Sequence, residues 1–195
     1  MLDLDKINSR LKKHGESRYG VSLVYFPNTA ELTNVHKWQH ELEALYGSVF
    51  IWSPVLHMSI VRCKSVFKPF AVKHMDLLCC NSVKREIVHS INADIGGDGI
   101  LRLSFTEITL KGITEISPFY TSNDLQYDLI TKPWISLGLI DITRENADEA
   151  AHSLQTRLAD GQFPHFEMII NTLNVVHYRD ILLKDHTLLK RIYLI

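Results

Sequence analysis

Leu56-His57-Met58-Ser59-Ile60 and Lys132-Pro133-Trp134-Ile135-Ser136-Leu137 are two short apolar segments of one design. Each carries a serine two residues after a ring-bearing side chain. Alternate residues of a strand project from the same face, so His57 shares a face with Ser59, and Trp134 with Ser136. An imidazole exchanges a proton near neutral pH, and a hydroxyl donates a hydrogen bond. Together they are a minimal pair for handling a phosphate. An indole N–H is a donor only and moves no proton at neutral pH. The first segment therefore offers acid–base chemistry. The second offers a hydrogen-bond donor beside an aromatic surface, a floor on which a base or other planar ligand can stack.

Other side chains are candidates to complete such a site. His177 lies on a late strand with Arg179 on its face and Tyr178 on the other, and that strand is a candidate cleft wall. Tyr120 stands at a strand end from which it can reach inward. His165, at a strand entrance, reads as a surface histidine. His36 and His40 are four apart on an amphipathic helix and read as its solvated face. Trp38 and Trp52 read as core aromatics. No group of histidines, cysteines and carboxylates has a metal-binding spacing, so neither metal nor cofactor is expected. Cys63, Cys79 and Cys80 read as reduced structural thiols, because adjacent cysteines are poor disulfide partners. Gly96-Gly97-Asp98-Gly99 lacks the Lys-Ser/Thr of a phosphate loop and reads as a chain break.

The 195 residues are 46% hydrophobic and 22% charged, with 21 basic and 22 acidic side chains and a net charge of −1. That is the composition of an ordinary globular protein with one good core. The balance argues against wrapping extended nucleic acid, while a local site for one phosphate is compatible with it. No apolar run has membrane-spanning length, and the N-terminus lacks a signal-peptide layout. A cytoplasmic location is expected.

The elements that must position these residues follow from periodicity and punctuation. An amphipathic helix is expected in the first 17 residues, then a strand from Gly20 to Phe26, stopped by Pro27. Asn28 or Thr29 caps a helix to Tyr46, with Leu32, Val35, Trp38, Leu42 and Leu45 on one face. Strands follow over 48–52 and 55–63. Phe70, His74, Leu77 and Leu78 mark one helical pattern, and Ile87, Ile91 and Ile95 a second. A strand over 100–111 turns at Gly112 into a partner over 113–120. A polar stretch over 122–131 leads to a strand over 134–142. Thr143 caps a helix over 144–159, and strands over 166–178 and 188–195 close the chain. Both ends thus read strand, helix, hairpin. No Pro/Gly/Ser linker divides them, so residues 1–195 are expected to form a single bilobal domain. Its α+β fold has two pseudo-symmetric antiparallel sheets, helices outside and a cleft between.

With these residues and this order, the chain resembles the 2H phosphoesterases, a superfamily that includes LigT-like proteins and RNA cyclic phosphodiesterases. The resemblance covers about residues 18–195. Leu56-His57-Met58-Ser59-Ile60 matches the first motif, and Trp134-Ile135-Ser136 stands where the second His-x-Ser/Thr belongs. It implies that His57 transfers a proton while Ser59 and Ser136 hold phosphate oxygens. It implies a metal-independent hydrolase acting on a cyclic nucleotide or an RNA 2′,3′-cyclic phosphate. The ligand is then a small phosphate compound or nucleotide, contacted by Trp134, Arg62, His177 and Tyr120. The departure at Trp134 puts hydrolysis in doubt and keeps an alternative open: a binding or repurposed protein of the same fold, or an enzyme of a different single-histidine reaction.

Overall fold

The computed structural model describes residues 2–14, 20–63, 83–109, 127–179 and 183–195. Within them run helices α1 (Leu4–His14), α2 (Thr29–Tyr46) and α3 (Ala147–Ala159). The strands are β1 (Gly20–Tyr25), β2 (Phe50–Trp52), β3 (Met58–Cys63), β4 (Glu86–Ile95), β5 (Ile100–Phe105), β6 (Tyr127–Leu129), β7 (Trp134–Ile140), β8 (Glu167–Ile170), β9 (Thr172–Tyr178) and β10 (His186–Tyr193). Every pairing is antiparallel. The main path is β10-β9-β1-β3-β7-β5-β4-β8, with β6 also on β3 and β2 also on β7.

The two expected half-sheets are β10-β9-β1-β3 and β7-β5-β4-β8. They join at one register pair, Met58 opposite Ile135. Beyond it the central strands part, and each takes up the strand that precedes the other: β6 lies on β3 and β2 on β7. Residues 58 and 135 are 77 apart, as are His57 and Trp134. A pseudo-twofold axis thus passes between Met58 and Ile135 and relates the two motif segments.

One apolar cluster runs beneath both halves, from Leu23, Met58 and Ile60 to Leu101, Leu103 and Ile135. The helices cover it. α2 starts at a complete capping box: Asn28 accepts from the Ala30 and Glu31 amides while Glu31 accepts from the Asn28 amide. Reciprocal satisfaction of these end amides fixes where the helix begins. Glu31 also accepts from the Tyr25 hydroxyl at 2.6 Å. Burial first, and then that bond, hold the Tyr25 phenol far above its ordinary pKa. α2 buries Val35, Trp38, Gln39 and Leu42, and α3 buries Ala147, Ala151, Leu154 and Leu158. α1 seats Ile7, with 0% exposure, in the same cluster.

Three expectations are corrected. Ile87, Ile91 and Ile95 lie on strand β4, not on a helix. Ile87 and Ile91 face out at 56% and 57% exposure, while Val88, Ser90, Ala93 and Ile95 are buried. The four-residue spacing of the three isoleucines fits a strand of period two as well as a helix, and an irregularity between Ser90 and Asn92 moves the alternation by one residue, so that Ile95 turns inward. The expected 166–178 strand breaks at Asn171, because β8 pairs with β4 whereas β9 pairs with β1 and β10. Thr143 does not cap α3. Its amide and hydroxyl bond Asp141 instead, and Asn146 in the left-handed region (φ 64°) precedes the helix. Cys79, Cys80, the 70–78 helical pattern, the 113–120 strand and Tyr120 lie outside the described residues.

Candidate active site

β3 and β7 each contain one extra residue relative to their outer neighbours. Val24 of β1 faces Ser59 and Leu23 faces Val61, so Ile60 bulges from β3. Arg102 of β5 faces Ser136 and Leu101 faces Gly138, so Leu137 bulges from β7. The bulges obey the same 77-residue relation. A bulge shifts the alternation of everything beyond it. Hence Arg62, not Val61, joins His57 and Ser59 on the face that carries Ser22 and Val24. On β7 the same shift places Leu139 with Trp134 and Ser136. Leu137 offers its carbonyl to the Ser53 amide (2.9 Å) and to Nε2 of the buried Gln39 (2.9 Å), so the irregular backbone stays satisfied.

These faces line one cavity of about 240 Å³ between the halves. His57, Ser59 and Arg62 enter it from β3, and Trp134 and Ser136 from β7. The structure therefore brings together five of the seven residues singled out from the sequence. His57 is half-buried, and its Nδ1 lies 3.1 Å from the Val55 carbonyl. A carbonyl only accepts, so Nδ1 carries the proton and, in the neutral ring, Nε2 holds the lone pair. That is the tautomer of a general base. The imidazole also stands 6.4 Å from the Phe26 ring, centroid to centroid.

Trp134 lines the cavity and also contacts two arginines. The guanidinium carbons of Arg62 and Arg102 lie over its ring, 5.2 and 5.3 Å from the centroid. Cation–π attraction holds both side chains against the indole. Arg102 donates to both carboxylate oxygens of Asp98 at 2.6 Å, and Asp98 also accepts from Arg10 at 2.7 Å. Asp94, opposite Arg102 in register, has its carboxyl pushed up by burial, an effect the Arg102 charge opposes. Arg10 and Arg102 thus share the Asp98 carboxylate, while Arg62 and Arg102 share the Trp134 ring.

His177 takes another position. It pairs in register with Val21, whereas its neighbour Tyr178 pairs with Gly20 and lines the cavity. The cavity-lining face of β9 is thus that of Tyr178, not that of His177. Both faces of β9 are buried from Leu173 to His177, so its sequence carries no alternation from which the side could be read. Sequence reasoning also missed Arg10, Ser22 and the apolar wall of Val24, Ile100, Leu139 and Leu183. Gly20 is the available sign of Tyr178: a Cβ there would lie 2.5 Å from the Tyr178 hydroxyl. Among the described residues, no cluster of three potential metal ligands occurs. No described helix is long and apolar enough to cross a membrane.

No protein-family model matches the chain, and no curated protein matches it. Among solved structures it is similar to the structure of Kluyveromyces marxianus Usb1. The identity is 11%, the match covers 89% of this chain and 98% of that chain, and the TM-score is 0.48.

Proposed function

We propose that the protein is a diverged 2H phosphoesterase-like enzyme with one proton-transfer residue, acting on a cyclic phosphodiester such as a cyclic nucleotide or an RNA 2′,3′-cyclic phosphate. The observation that carries this reading is the delivery of His57-Ser59 and Trp134-Ser136 to one cavity by dyad-related strands. Nε2 of His57 takes a proton from water as the water oxygen attacks phosphorus. The P–O bond of the ring breaks, and the departing alkoxide takes its proton from solvent. Ser59 and Ser136 donate to the non-bridging oxygens, and Arg62 balances their charge. Loss of the second histidine removes the positioned acid, an effect of about 10²–10⁴ in rate.

Turnover of 2′,3′-cyclic nucleotides by wild type and His57→Ala tests this. Wild type should turn over slowly, with a rate that rises with pH through a single ionisation and then levels off. His57→Ala should lose about 10²-fold or more. Absence of wild-type turnover would sink the hydrolase. The second reading, anion binding without chemistry, is supported by the two guanidiniums that occupy the Trp134 ring. Calorimetric binding of a nucleoside monophosphate without turnover would favour it.

A further inference from the structure

The pseudo-dyad is broken at a second place. Arg62 lies two residues beyond the Ile60 bulge, and its counterpart 77 residues later is Leu139, two beyond the Leu137 bulge. The β7 half of the cavity therefore lacks the cation that the β3 half draws from its own strand. Helix α1 supplies one. Arg10 reaches the cavity beside Ile100 and Leu139, with its Nη2 on Asp98.

The Gly96–Gly99 turn is shaped to receive this helix. The Asp3 amide donates to the Gly97 carbonyl at 2.9 Å. Gly99 has φ +78°, and a Cβ there would lie 2.6 Å from Ile140 Cγ2 and 2.9 Å from Ile7 Cγ1. A side chain at Gly96 would strike the Arg102 guanidinium at 2.5 Å. The glycines thus let α1 approach β7 and let Arg102 lie across the turn. Asp98, between them, holds Arg10 and Arg102 at once. A guanidinium has five N–H donors, and the Asp98 ion pair engages Nη2 of Arg10, so a guanidinium that lines the cavity has further N–H groups to offer phosphate oxygens.

Resting on the phosphoesterase-like reading above, we propose that Arg10 is a ligand-binding residue that meets the anionic ligand from the half opposite Arg62, and that Asp98 is its positioning residue. The ligand class is a phosphate-bearing nucleotide whose negative charge is met from both halves of the cleft.

The test measures steady-state hydrolysis of 2′,3′-cyclic UMP and calorimetric binding of 3′-UMP by wild type, Arg10→Met, Arg10→Lys, Asp98→Asn and the Arg10→Met/Asp98→Asn double variant. Arg10→Met should raise KM and Kd about tenfold or more, the scale of a charge-assisted hydrogen bond. The change in kcat should stay within about threefold. Arg10→Lys keeps the charge and should recover part of the affinity. Asp98→Asn should weaken binding less, and the double variant should be weaker than Arg10→Met by less than the sum of the single effects, because the part of the Asp98 effect that acts through Arg10 is already lost. Wild-type KM and Kd in Arg10→Met would overturn this inference and leave the phosphoesterase-like reading standing. A wild type that neither binds 3′-UMP nor turns over the cyclic nucleotide would overturn both.

Discussion

At the residue scale the site turns on what a single side chain can do with a proton. His57 has its Nδ1 against the Val55 carbonyl, which orients the ring. Trp134 has no titratable proton, and its ring is instead used to hold Arg62 and Arg102. Converting Trp134→His would not recreate a simple acid–base pair. An imidazole near the Arg62 and Arg102 guanidiniums is disfavoured in its charged form, so it should titrate below the ordinary value of about 6.5. NMR titration of the new imidazole checks this, and a value at or above 6.5 would show that the two guanidiniums do not govern its charge. The pairs His57-Ser59 and Trp134-Ser136 were legible from spacing, and element order with the resemblance joined them into one candidate site. Arg10 was not: a lone arginine on an amphipathic helix has no distinguishing local signal, and only docking brings it to the cleft.

At the element scale, bulges and strand pairings decide which faces meet. Arg62 lies five residues after His57, and strict alternation would place it on the opposite face. The Ile60 bulge corrects that, and Leu137 does the same on β7. Pairing of β1 with β9 sets Gly20 against Tyr178. Because the Tyr178 ring lies where a Gly20 side chain would project, Gly20→Ala should destabilise the protein by about 1–3 kcal/mol through overpacking. In a Tyr178→Ala background the same change should cost much less. Urea unfolding of the four proteins measures the coupling, and equal costs in both backgrounds would show that the contact is not the cause. Elements with one exposed and one buried face were readable. β4 was misread because a four-residue isoleucine spacing is common to a helix and a strand, and β9 was ambiguous because it is buried on both faces.

At the scale of the whole molecule, two half-sheets must hold a fixed spacing for one ligand to touch both. Their strands meet at Met58 and Ile135, both 0% exposed, with Tyr25 across β1 from Met58. Met58→Ala removes packing at the axis itself and should cost about 2–5 kcal/mol, as for other buried methionines cut to alanine. Urea denaturation reads the loss, and a cost below about 1 kcal/mol would mean that the junction is held elsewhere. The variant should also bind 3′-UMP more weakly, since both halves contribute donors to the cavity.

The sequence by itself determined the pairs His57-Ser59 and Trp134-Ser136, their 77-residue relation, a helix capped at Asn28 or Thr29 and the α+β order, all properties of local periodicity and short-range hydrogen bonding. Tertiary structure alone decided that Arg62 turns inward, that Tyr178 rather than His177 lines the cleft, and that Arg10 reaches it. Each of these depends on register or docking between segments far apart in the chain. A one-residue shift in register exchanges the two faces of a strand, and residue types along that strand do not encode such a shift when both faces are buried.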